Sequence, residues 1–281
     1  MKIIHTISEM QSTSEILRQQ GKRIAFVPTM GFLHEGHLSL MRKGRENADT
    51  LVASIFVNPA QFGANEDLDS YPQAFESDLE KCRAQGVNII FAPTRDAIYP
   101  KGYETYIELE KLPHHLCGIS RPVFFKGIAT VVTKLFHIVK PHVAVFGEKD
   151  FQQLAIIRRM VTDLNMEVEI LGGPLVREKD GLAMSSRNAY LTPAQRKEGV
   201  RLYQSLCAAE KSVQNGETDP ESLRAAAKEH IEKAGDAAID YISICDPATL
   251  EEVEKIAGPV LMAMAVMMGK TRLIDNRVLR P

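Results

Sequence analysis

Five largely apolar runs, at 24–27, 51–57, 87–91, 143–146 and 168–171, constrain this chain most. They have strand length and do not alternate with polar residues, as strands buried on both faces should not. Helix-length stretches lie between them at 37–48, 71–85, 129–139 and 151–164. Strand-like and helix-like segments in alternation predict an α/β fold, a Rossmann-like mostly parallel sheet with helices on both faces and right-handed crossovers. The stretch 96–126, rich in Pro, Gly and Tyr, reads as an excursion near the sheet's carboxyl edge.

Gly172-Gly173-Pro174 breaks the pattern. Helical segments at 193–215 and 220–234 follow, then further stretches at 239–245, 260–268 and 271–279. Gly269-Lys270, between the last two stretches, suits a hairpin turn. The expectation is a first domain over 1–175, a smaller C-terminal α+β domain over 176–281, and a hinge at 172–175.

The first apolar run leads directly into Pro28-Thr29-Met30-Gly31-Phe32-Leu33-His34-Glu35-Gly36-His37. A strand, a glycine turn and a helix start make a site for a nucleotide phosphate, because the helix N-terminus offers unpaired N–H groups and a positive dipole end. His34 and His37 are three apart and share one face of the first turn. Two imidazoles beside a phosphate can donate hydrogen bonds where charge builds up. A metal site and a purely structural role are the alternatives. The zinc-protease pattern spaces its histidines four apart, one more than here.

In open α/β sheets ligands bind beyond the carboxyl ends of the strands. Asn58-Pro59-Ala60-Gln61 follows the second run, and Gly147-Glu148-Lys149-Asp150-Phe151-Gln152-Gln153 follows the fourth. Lys149 could meet a phosphate as a point charge, with Glu148 and Asp150 orienting it, meeting a cation or capping a helix. Gln61 and Gln153 suit a hydroxyl-bearing acid. Beyond the hinge, Met184-Ser185-Ser186-Arg187 places two hydroxyls before a guanidinium, a pattern that can clamp phosphate oxygens or cap a helix.

Composition narrows the class. In 281 residues, 44% are hydrophobic and 25% charged, as in a soluble globular protein, and the net charge of −2 favours neither nucleic acid nor a membrane as partner. No apolar stretch approaches the ~20 residues of a membrane span. Cys82, Cys117, Cys207 and Cys245 are widely spaced, which fits reduced thiols in a cytoplasm.

The segments PTMGFLHEGH, FVNPAQFG, DLDSYP, GEKDFQQL, DGLAMSSRN and GKTRLIDN, in order from Pro28 to Asn276, resemble those of the pantoate–β-alanine ligase (pantothenate synthetase) family. That family shares a His-x-Gly-His signature with other nucleotidyl-transfer enzymes. The resemblance implies ATP-dependent ligation: pantoate attacks the α-phosphorus of ATP, pyrophosphate leaves, and the amine of β-alanine attacks the pantoyl adenylate to give pantothenate and AMP.

Carried over by resemblance, Met30, Gly31, Phe32, Leu33, His34, Glu35, Gly36 and His37 line the ATP site, with His37 the candidate proton donor. Gly147, Glu148, Lys149 and Asp150 contact ATP, Lys149 at phosphate. Val176 contacts the nucleotide, and Met184, Ser185, Ser186 and Arg187 close over the phosphates. Gln61 and Gln153 hold pantoate, and Asn58 and Tyr71 form pocket walls. Mg²⁺ accompanies ATP, without a named protein ligand, and the chain is expected to be a cytoplasmic homodimer. One departure stands out: the family's Arg-Pro-Gly-His-Phe reads Arg121-Pro122-Val123-Phe124-Phe125 here. If the family's histidine positions a ligand, this chain must compensate; if it only shapes the loop, activity survives.

Overall fold

The computed structural model describes residues 1–63 and 66–281. Nine strands are described: β1 (Lys2–Ile4), β2 (Ile24–Thr29), β3 (Thr50–Ile55), β4 (Ile89–Phe91), β5 (Val143–Gly147), β6 (Glu169–Gly173), β7 (Ala237–Cys245), β8 (Val260–Met268) and β9 (Thr271–Leu279). The helices are α1 (Ile7–Gln19), α2 (Glu35–Glu46), α3 (Phe75–Ala84), α4 (Arg95–Ile98), α5 (Cys117–Ser120), α6 (Phe124–Val139), α7 (Phe151–Asp163), α8 (Pro193–Gly199), α9 (Arg201–Gln214) and α10 (Pro220–Glu232).

The chain divides into two compact units. The first comprises 1–110, 121–148 and 153–174; the second comprises 111–120, 149–152 and 175–281.

The first unit is built on a parallel sheet in the order β1-β4-β3-β2-β5-β6. The strand order turns back on itself between β2 and β5, so the loops after β3, β2 and β5 leave neighbouring carboxyl ends. Such a switch point is where open α/β sheets bind ligands. Ala25, Val27, Leu51, Ala53, Val143 and Val145 are buried in one cluster with Leu40 and Met41 of α2 and Leu79 of α3. Phe26 on β2 meets Phe136 of α6 edge-on, with centroids 6.5 Å apart.

Three local outcomes differ from the expectations. Residues 2–19 form β1 and α1: a three-residue strand carries no usable periodicity, and α1 buries only Met10 and Ser14. Helix α6 begins at Phe124, five residues before the apolar stretch suggested, after Val123 in helical conformation. The glycine pair lies inside β6, paired with Phe146 and Gly147. A Cβ on Gly173 would sit 2.2 Å from Leu40 Cδ2, so the glycine leaves room for that side chain of α2.

The second unit carries an antiparallel sheet in the order β7-β8-β9. The all-apolar β8 is its centre, as a strand between two partners requires, and its Met262, Met264 and Val266 are buried with Leu202 and Leu206 of α9 and Ile231 of α10. Gly269, φ 60°, opens the two-residue turn to β9, as in a type II′ hairpin.

Candidate active site

The loop after β2 is held in an unusual conformation. Gly31 has φ 84° and Phe32 φ 50°, two successive left-handed residues. A side chain on Gly31 would press on Asp78 Oδ2 at 3.1 Å and Ile55 Cγ2 at 3.2 Å. Asp78 of α3 supplies what the strained turn needs. It is 1% exposed, and its carboxylate accepts from Phe32 N–H (2.7 Å) and Leu33 N–H (2.8 Å). Lys81, one turn on, donates to Leu33 O at 2.8 Å. Both backbone polarities of the loop are thus fixed from α3, a role that no pattern in the sequence disclosed.

This loop delivers the histidines to the start of α2. His34 is the N-cap, and its Nδ1 accepts from Gly36 N–H at 3.2 Å. His37 Nδ1 in turn accepts from His34 N–H at 3.3 Å. The imidazoles form a reciprocal capping box, their rings 4.1 Å apart at a 40° tilt. The expectation of open amides at this helix start is therefore modified. His37 N–H bonds His34 O at 2.8 Å, and the rings themselves accept from Gly36 N–H and His34 N–H. An Nδ1 that accepts carries no proton, so each neutral ring bears its proton on Nε2. In its neutral form each of the two imidazoles at this helix start is thereby fixed as the Nε2-protonated tautomer.

Beyond β3, Asn58 caps the 3₁₀ turn Pro59–Gln61 and is 2% exposed. Its Nδ2 donates to Gln61 Oε1 (3.1 Å) and Gly127 O (3.2 Å). Gln61 Nε2 contacts Met30 Sδ at 3.0 Å, which joins this turn to the histidine loop. Tyr71 is buried edge-on against Phe62, centroids 6.1 Å apart. Gly127 of α6 lies so close to the turn that a Cβ would fall 2.1 Å from Ala60 O. Gly147 ends β5, Glu148 follows it, and Gln153 lies in the first turn of α7. The first unit thus brings Met30, His34, His37, Asn58 and Gln61 into one linked set.

Where the family has histidine, Phe124 stacks on Arg121, the guanidinium 3.6 Å from the ring centroid. Arg121 also bonds Glu66 through two nitrogens, at 2.7 and 2.5 Å. Phe124 thus gives the Arg121 guanidinium a stacking surface.

In the second unit, Lys149, Ser185, Asn188, Leu202, Leu273 and Asp275 line a common cavity. Lys149 is 20% exposed and 4.0 Å from Asp150. Asn276 of β9 donates to Lys149 O at 2.8 Å and fixes that backbone. Ser185 caps the 3₁₀ turn Ser186–Tyr190 by accepting from Arg187 N–H at 3.3 Å, and Met184 N–H bonds Val176 O at 3.0 Å. The hairpin before these residues is anchored at both ends. Arg177 forks onto buried Asp275 at 2.7 and 2.9 Å, and Arg196 bonds Glu178 and Asp180. Arg196 holds the Glu178 carboxyl below its ordinary range. Gln152 ties down the 111–120 segment, donating to Leu112 O and His115 O and accepting from Cys117 N–H.

Among the described residues no three His, Cys, Asp or Glu side chains converge on a metal position, and no helix is long and apolar enough to cross a membrane. The cysteines are unpaired with one another. Burial pushes the Cys82 and Cys245 thiols up to about 12, where they stay protonated and unreactive.

The family model for pantoate–β-alanine ligase matches residues 2–278. A pantothenate synthetase of Desulfatibacillum aliphaticivorans is 60% identical over all of both chains. One of Syntrophobacter fumaroxidans is 58% identical over 100% of this chain and 99% of its own. Among solved structures, a pantothenate synthetase from Thermus thermophilus is 39% identical with TM-score 0.95, covering 100% of both chains. A pantoate–β-alanine ligase from Francisella tularensis, complexed with β-γ ATP and β-alanine, is 34% identical with TM-score 0.82, covering 99% of this chain and 97% of that one. The likeness runs through sequence, fold and length together: this chain belongs to the pantoate–β-alanine ligase family.

Proposed function

We propose that the chain joins pantoate to β-alanine with ATP as co-substrate, through a pantoyl adenylate, with AMP and pyrophosphate released. The observation that carries this reading is the imidazole capping box at the start of α2, which follows the carboxyl end of β2 beside the sheet's switch point. A carboxylate is a poor acyl donor because oxide would have to leave; adenylation gives it a stable leaving group. The protein's part is positioning and charge stabilisation. His34 and His37 donate from Nε2 to phosphate oxygens as charge moves onto pyrophosphate. Met30, Gly31, Phe32, Leu33, Glu35 and Gly36 shape the nucleotide's surroundings. Lys149 is assigned to phosphate, as are Ser185, Ser186 and Arg187; Gly147, Glu148, Asp150, Val176 and Met184 are assigned nucleotide contacts. Gln61 and Gln153 hold pantoate, between walls that include Asn58 and Tyr71.

Mg²⁺ fits as a cation carried by the triphosphate rather than caged by protein, since Mg²⁺ commonly needs one or two carboxylates with substrate phosphates. When bound it would neutralise phosphate charge. A homodimer working in the cytoplasm completes the proposal, and sedimentation over a range of concentrations tests the dimer.

The deciding assay measures pyrophosphate, AMP and pantothenate from ATP and pantoate, with and without β-alanine. Steady release of all three only with β-alanine is expected. His37→Ala should lower kcat by about 100-fold or more, the scale of losing one fixed donor. Absence of pantothenate from the unaltered protein refutes the proposed reaction, and near-normal turnover of the variant refutes the role of His37.

A further inference from the structure

The hydrogen bonds around Asn58 leave no freedom in how its amide is turned. Ala60 N–H can only donate and lies 3.3 Å from Oδ1; Gly127 O can only accept and lies 3.2 Å from Nδ2. The second Nδ2 proton goes to Gln61 Oε1, which fixes the Gln61 amide in turn. Its Nε2 therefore faces Met30 Sδ, a weak acceptor that a ligand oxygen would outcompete. One further group meets Asn58 Oδ1: the hydroxyl of Tyr99, 2.8 Å away. With Oδ1 accepting, Tyr99 must be the donor.

Tyr99 lies at the end of α4, outside every motif that marks the family resemblance. Its ring meets Tyr103 edge-on at 5.1 Å and Phe56 at 6.5 Å, and Lys134 Nζ lies 5.4 Å above it. We propose that Tyr99 is a positioning residue for the acid substrate: through Asn58 it holds Gln61 with its donor end, and not its acceptor end, toward the oxygens of pantoate. This rests on the assignment of Gln61 to pantoate made above. Burial, with Tyr103 and Tyr106 nearby, raises the Tyr99 phenol above its ordinary value, so it keeps the proton it must donate.

The test is the steady-state kinetics of Tyr99→Phe, which keeps the ring and removes the hydroxyl. KM for pantoate should rise about tenfold, the effect of one lost hydrogen bond of ordinary strength, while KM for ATP and kcat stay within about twofold. Tyr103→Phe, which alters the aromatic neighbour but no bond to Asn58, should leave all three unchanged. In an Asn58→Ala background Tyr99→Phe should have no further effect on KM for pantoate, because coupled groups are not additive. An unchanged KM for pantoate, equal rises in both KM values, or an undiminished effect in the Asn58→Ala background each overturns the proposal. Pantothenate formation by the unaltered protein is measured in the same series, so failure of the ligase reading is seen separately.

Discussion

Adding one methyl group at Gly127 tests how tightly the Pro59–Gln61 turn is built against α6. A Cβ there would lie 2.1 Å from Ala60 O, 2.4 Å from Ala60 C and 2.6 Å from Gln61 N. These are backbone atoms, so no rotamer change relieves the clash. Ordinary non-bonded contact begins more than about 1 Å farther out, so the Pro59–Gln61 turn or α6 must move by roughly that distance. Two terms act on stability. Alanine in a helix gains about 1 kcal/mol over glycine, while overpacking costs about 1–3 kcal/mol. The net loss is about 0–2 kcal/mol, or a Tm fall of no more than about 8 °C. Activity should suffer more, because the displaced turn carries Gln61 and Asn58 also bonds Gly127 O. A misplacement of about 1 Å costs on the order of 100-fold in rate. Pantothenate formation by Gly127→Ala should therefore lose about 100-fold in kcat/KM for pantoate with the fold retained. Gly235→Ala, where a Cβ meets nothing within 4 Å, is the control and should be neutral. A Gly127→Ala protein with normal kcat/KM refutes the argument that this close approach sets the position of the turn.

Removing the carboxylate that holds the histidine loop should unfix both imidazoles: Asp78→Ala is expected to cost about 2–3 kcal/mol from two unsatisfied N–H groups and lower kcat at least tenfold, read by denaturant melts and turnover. Normal turnover would show that the left-handed turn persists without its anchor. The Glu178 carboxyl is held low in the folded chain by Arg196, so its contribution is present above the ordinary glutamate pKa and is lost as pH falls toward the depressed folded value. Denaturation midpoints should decline over that acidic window, and Arg196→Ala should flatten the decline while costing about 1 kcal/mol near neutrality; an unchanged pH slope in the variant contradicts the assignment.

The parallel sheet and the histidine turn were legible because their signals are local. Most strands read as largely apolar runs, though the edge strand β6 proves only partly buried, and the glycine and histidines of the α2 start lie within one short segment. Helix α1 was not legible, since a helix whose buried residues are Met10 and Ser14 leaves almost no apolar stripe. Gly172 and Gly173 read as a break because glycine usually punctuates, yet here Gly173 allows α2 to approach a strand. The supporting groups Asp78, Lys81, Tyr99 and Gln152 were invisible for a different reason. Each acts on backbone or amides distant in sequence, and nothing in the local spacing marks an aspartate as buried or a tyrosine as a donor.

The anchoring of Lys149 has a consequence for synthesis. Its carbonyl is held by Asn276, and the 111–120 segment meets β7 and β9 through Cys117, Tyr241 and Arg272. Both pieces leave the ribosome well before β9. They wait without their final partners while the parallel sheet already has every strand it needs. The nascent chain can therefore complete the histidine loop early, whereas a chain cut short before β9 would lack both the Asn276 bond to the Lys149 carbonyl and the Arg272 contact with Cys117.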